Sequence, residues 1–142
     1  MPDKVSLDLY AAILKLKAEN KQCLMAEVFA TNLMNQSPYY TILKPSCEIC
    51  EGAGNELHHL AGRKHDYHTI TVCEECHRTL SDRQKLWDAR WWKPDQKDEI
   101  RAAFLLHGIS DILRLKTRKT DNTEFEMLAD RLTEPISKRL RR

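Results

Sequence analysis

The chain is poor in loop formers, with only four glycines and five prolines, so long irregular stretches are excluded and helices should dominate. It holds no run near the roughly 20 apolar residues a membrane span needs. Met1-Pro2-Asp3-Lys4-Val5 lacks the apolar core of a secretion signal, so a cytoplasmic protein with no membrane partner is expected. Net charge is only +2, too little to argue for nucleic acid by bulk electrostatics. Disorder is excluded as well, since 42% hydrophobic against 31% charged residues is the balance of a chain that buries a core. Its 142 residues suit one such core. The cluster Lys138-Arg139-Leu140-Arg141-Arg142 is either a solvated end or a phosphate-contacting arm.

What is present is uneven. Apolar residues Leu9, Ala12, Ile13, Leu16, Cys23, Ala26, Ala30 and Leu33 recur at helical spacing, which predicts one long helix over 6–35, stopped by Pro38. Its stripe either docks on the protein's own body or pairs two copies, giving a homodimer through the N-terminal helix. A connector, 39–46, follows. Leu57-His58-His59-Leu60 and the β-branched Thr69-Ile70-Thr71-Val72 are strand candidates, with a turn at Gly62. After Cys76 a helical pattern runs to Pro94, with Trp87 and Trp91 expected as core, burying it against the N-terminal helix. Further helices are expected over 95–107, ended by Gly108 with His107 at its C-terminus, from Ser110 to Lys116, and over 124–132 before Pro135. The organisation is thus an N-terminal helical segment (1–44), a central unit (45–93) and a C-terminal helical segment with a basic tail (94–142).

Five cysteines are an odd number, and their spacing matters more than their count. Cys47/Cys50 and Cys73/Cys76 form two Cys-x-x-Cys pairs separated by 22 residues. Each such turn offers two thiolates to one side of an ion, and two turns complete the tetrahedron of a structural Zn²⁺. Cys23 is read as a small buried hydrophobe.

Five of the six histidines fall between positions 58 and 77. On a strand His58 and His59 point to opposite faces, so both cannot comfortably bind one ion. One can hold a metal while its neighbour addresses something else, and His77 can approach from the first turn of the next helix to share the ion with His58. Arg63 and Lys64, in the loop after His59, are candidate phosphate contacts. His65 is assigned no role. The plainer alternative makes the histidines surface residues of a zinc-ribbon binding module.

The run Cys47-x-x-Cys50, His58-His59, Gly62, His68, Cys73-x-x-Cys76-His77 resembles the HNH (ββα-metal) endonuclease family with an embedded zinc ribbon. The resemblance covers about thirty residues and none of the flanking helices. It implies an α+β, mostly helical protein: a central ββα-metal motif with structural zinc, between a long N-terminal helix and C-terminal helices. It implies hydrolysis of DNA phosphodiester bonds, RNA remaining open. His58 and His77 would hold a catalytic Mg²⁺ or another divalent metal such as Mn²⁺, Ni²⁺ or Zn²⁺, and His59 would be the general base. His68 stands where the family normally has the asparagine that braces the loop, so His-Asn-His becomes His-His-His. The alternative kept beside it is a weak or inactive zinc-ribbon module binding nucleic acid or protein.

Overall fold

The computed structural model describes residues 4–141. Helices α1 (Lys4–Ala18) and α2 (Leu24–Met34) precede a two-stranded antiparallel hairpin, β1 (Glu56–His59) and β2 (Thr69–Val72). Helix α3 (Glu74–Gln84), a 3₁₀ turn (Ala89–Trp92), α4 (Asp98–Thr120) and α5 (Glu124–Arg139) complete the chain. The protein is therefore α+β and mostly helical, with the small hairpin at its centre. One continuous apolar core draws on every helix and on β2, from Val5 through Ile70 and Leu113 to Ile136.

The expected single N-terminal helix is two. Asn20 takes a left-handed backbone (φ 56°), the conformation that a short polar side chain tolerates best after glycine. The amide of Asn20 then donates to the Lys17 carbonyl and that of Lys21 to the Leu16 carbonyl, both at 3.0 Å, the paired bonds of a Schellman stop. Periodicity survived across the break because Cys23, Ala26, Ala30 and Leu33 face the same core as Leu9 and Leu16. Cys23 is buried as expected. The α1 stripe packs on α5 and α4 of its own chain, which occupies the face that a homodimer would have used.

Gly108 does not end a helix. It lies inside the 23-residue α4, where a Cβ would stand 1.9 Å from the carbonyl oxygen of Leu60. Its missing side chain is what lets the hairpin backbone seat on α4, and His107 is accordingly a mid-helix residue stacked on Trp87 at 4.5 Å. Likewise α5 runs through Pro135 to Arg139, because burial of Ile136 in register with Phe125, Leu128 and Leu132 outweighs one lost backbone bond. Helix α3 is shorter than expected, ending at Gln84. Trp87 is core, as expected, but against α4, stacking on Phe104 and donating from Nε1 to Asp111 at 2.9 Å. Trp91 is half-buried beneath the hairpin loop, its Nε1 donating to the Ala61 carbonyl at 2.9 Å.

Candidate functional site

The four paired cysteines come together. Their sulfurs all lie within 4.8 Å of one another, Cys47 and Cys76 buried, Cys50 and Cys73 half-buried, close enough to hold one metal ion. Local backbone explains the geometry. The amide of Cys50 points at Cys47 Sγ (3.5 Å) and that of Cys76 at Cys73 Sγ (3.4 Å), so each Cys-x-x-Cys turn stabilises negative sulfur. Cys73 is also the N-cap of α3. The first knuckle is fastened to β2, with Glu48 N donating to the Thr71 carbonyl and Thr71 N to the Glu48 carboxylate.

The electrostatics of the cluster favour a cation. Burial works to raise the Cys47 thiol, but the amides of Cys50, Cys73 and Ile49 outweigh it and bring the pKa down to about 7. Cys76 goes strongly the other way, first through burial and then through its crowded sulfur neighbours. Like charges this close cannot ionise together without a counter-charge, which a divalent ion would supply. Lys116 of α4 adds a positive charge behind the first knuckle. Its ammonium donates to the Glu48 carbonyl at 2.6 Å and sits over the Phe29 ring at 4.6 Å.

The histidines form a second group at the junction of β1 and α3. In the hairpin His58 pairs with Ile70 and His59 with Thr69. The His58 ring lies edge-to-face on His77, centroids 5.3 Å apart. Burial holds the His58 pKa down at about 3, with His77 adding to it, so its imidazole is neutral near pH 7 and carries one lone pair. His77 enters from the first turn of α3, directly after the cysteine cluster, and its Nδ1 is hydrogen-bonded to the Glu56 carboxylate. That bond leaves Nε2, the ring's other nitrogen, as the one available to a ligand. His59 is half-buried, and its pKa is lowered by burial and then by the nearby Arg63 charge.

Two neighbours were not singled out from the sequence. Glu56 could have been, because it is two residues before His58 and so shares its strand face. Gln84, seven residues after His77, returns to that side of α3. Its amide donates to the His59 and Leu60 carbonyls (3.0 and 3.3 Å) and stands 3.4 Å from His58 Nε2.

His68 lies apart from this group. It is buried, bonded through Nδ1 to Asp66 and, at 3.2 Å, through Nε2 to the Met34 carbonyl at the end of α2. Its own carbonyl accepts from Leu60 N across the loop (3.0 Å). It therefore ties the loop to α2. Arg63 and Lys64 are exposed on that loop. His65 is buried and structural, its Nε2 2.7 Å from the Trp91 carbonyl oxygen. In the basic tail Arg139 is spent on Asp8 and Glu99, and Arg142 lies outside the described residues.

No helix among the described residues is long and apolar enough to cross a membrane. No family model, curated protein or solved structure matches the chain.

Proposed function

We propose that the protein is a metal-dependent endonuclease of the HNH type, with a structural zinc on Cys47, Cys50, Cys73 and Cys76 that fixes the start of α3. The observation that carries the proposal is the meeting of His58 and His77 at the strand–helix junction, with His59 next in the strand. The hairpin followed by a helix is the arrangement such a site needs.

The chain's own groups divide the work. Neutral His58 and the Nε2 of His77 would hold the divalent ion, and Glu56 keeps His77 in the tautomer that leaves Nε2 free. Bound there, Mg²⁺ or a similar ion would offset charge on the scissile phosphate and the leaving oxygen. His59 takes the proton of the attacking water, and its lowered pKa keeps it in the basic form at neutral pH. Gln84 fixes the β1 backbone that carries both histidines. Arg63 and Lys64 meet the phosphates on either side.

The test is conversion of supercoiled plasmid to nicked and linear DNA with Mg²⁺, Mn²⁺ or Ni²⁺. His59→Ala should lose activity about a hundredfold to ten-thousandfold while keeping its fold and metal. Absence of cleavage on duplex, single-stranded DNA and RNA with each metal would overturn the enzyme and leave a zinc-ribbon module that binds without cutting. One observation favours that second reading. Among the described residues only the four cysteines gather to ligand distance, whereas the donor atoms of Glu56, His58 and His77 do not form such a group.

A further inference from the structure

Three tryptophans fall within six residues of one another, and the fold uses only two of them. Trp87 is buried on Phe104 and His107. Trp91 fills the space beneath Gly62, where a Cβ would come within 2.7 Å of its Nε1. Trp92 has no such place: its ring meets Trp91 edge-on at 4.9 Å and stays 54% exposed. Core packing therefore places Trp87 and Trp91 but not the Trp92 ring.

Its surroundings are basic and belong to the catalytic loop. Lys64 Nζ donates to the Trp92 carbonyl at 3.4 Å, which ties the loop after His59 to the 3₁₀ turn. Arg63 is exposed beside Lys64, and Lys93 is exposed next to Trp92. The closest acids in the chain are engaged: Asp66 by His68, and Asp88 by Arg90. Asp95 is the exposed exception. The Gly62 amide donates to the His59 carbonyl at 3.2 Å, so one tight turn separates the proposed base from these cations.

Resting on the nuclease proposal, we infer that Trp92 with Arg63 and Lys64 forms a stacking platform beside His59, and that the substrate is a single-stranded or locally unpaired polynucleotide. An exposed indole face takes a base only when that base is free of its own stack, while loop cations follow the backbone without reading sequence. In a closed duplex the base faces are covered and the indole gains nothing.

The experiment measures binding without catalysis. His59→Ala protein, with its zinc and no added divalent metal, is titrated with a fluorescent oligothymidylate and, separately, with a duplex of the same length. The single strand should bind at least tenfold more tightly. Adding Trp92→Ala should weaken the single strand about fivefold to hundredfold and leave the duplex unchanged, whereas Trp92→Phe should keep most of the affinity. Lys64→Ala should weaken both and reduce the slope of log K against log salt by about 0.7 on the single strand. Equal affinity for the two forms, or a Trp92→Ala protein that binds the single strand as before, overturns the platform. Plasmid cleavage with these binding results leaves the nuclease and removes only the platform. Trp92-dependent binding of the single strand without cleavage on any substrate does the reverse.

Discussion

The central unit and the helical frame are held together by different physics. The frame (α1, α2, α4, α5) is closed by apolar burial: Phe104, Leu106, Ile109, Ile112, Leu113, Phe125 and Leu128 are all fully buried. Each such side chain contributes roughly 1.5–3 kcal/mol. Between positions 47 and 84 the buried apolar residues Ile49, Leu60, Ile70, Val72 and Leu80 are joined by buried polar ones, His58, His65, His68, Thr69, Thr71 and Gln84, and by Cys47 and Cys76. Two four-residue strands cannot stand alone in water. The difference teaches that the frame buries almost only apolar area, whereas the central unit joins that core and adds to its apolar contacts side-chain hydrogen bonds and a cysteine cluster able to hold an ion. The candidate site lies in the part where polar groups join the buried core.

Removing the ion should break the comparison most strongly. Cys73→Ser takes away one sulfur yet leaves a hydroxyl that can still cap α3, so it isolates the loss of the metal ligand. Structural zinc supplies on the order of 10 kcal/mol of folding free energy in small domains. The expected result is loss of the one zinc per chain and of ordered signals from the hairpin and α3, with the helicity of α4 and α5 largely kept. Elemental analysis with circular dichroism reads both. A variant retaining full zinc would refute the assignment of the cluster, and complete unfolding would show that the frame is not independent.

Gly108 tests the seam between the two regions. Inside an exposed helix Gly→Ala stabilises by up to about 1 kcal/mol. Here the added methyl collides with the Leu60 backbone, which cannot swing away as a flexible side chain would. Gly108→Ala should therefore destabilise by about 3 kcal/mol, and denaturant melts will show the sign directly. A stabilised variant would mean that the hairpin does not rest on α4 there.

Within the central unit, Glu56→Gln separates holding from orienting. The amide keeps size and one hydrogen-bonding oxygen but loses the charge that fixes His77. Second-sphere changes of this kind typically weaken a metal site about tenfold to a hundredfold. Calorimetry with Mn²⁺ on zinc-loaded protein should show that loss at unchanged zinc content. Unchanged Mn²⁺ affinity would remove Glu56 from the site.

How legible these regions were in the sequence follows the same division. Cys-x-x-Cys spacing announced the cluster because it depends on local turns alone. The hairpin strands were found to within one residue through Thr69-Ile70-Thr71-Val72. In the frame, apolar periodicity located the buried faces but missed what interrupts or continues a helix. Gly108 and Pro135 defied their local propensity because a tertiary contact decided the matter, the Leu60 carbonyl and the burial of Ile136, whereas Asn20 followed its own, a left-handed stop that the unbroken apolar stripe concealed. His68 shows a different limit. Its position in the motif was readable and Asp66 is a neighbour in the chain, yet its other partner, the Met34 carbonyl, belongs to packing between segments 34 residues apart.

The smallest expected effect is the sharpest check on independence. Asn20 holds φ at 56° on an exposed corner of the frame, far in sequence from the four paired cysteines and bonded within its own turn. Alanine there must adopt a left-handed backbone that its Cβ opposes, at a cost of about 1 kcal/mol, whereas glycine meets no such resistance. Asn20→Ala should lower the melting temperature by about 3 °C, and Asn20→Gly should leave it nearly unchanged. The decisive measurement repeats the pair in the Cys73→Ser background. Sites that share no partners act additively to within about 0.5 kcal/mol. The same Ala-against-Gly difference with and without the metal ligand would establish that the α1–α2 corner forms independently of the cysteine cluster. A difference that vanishes once the ligand is gone would show that α1 and α2 reach their places only after the metal has closed the central unit.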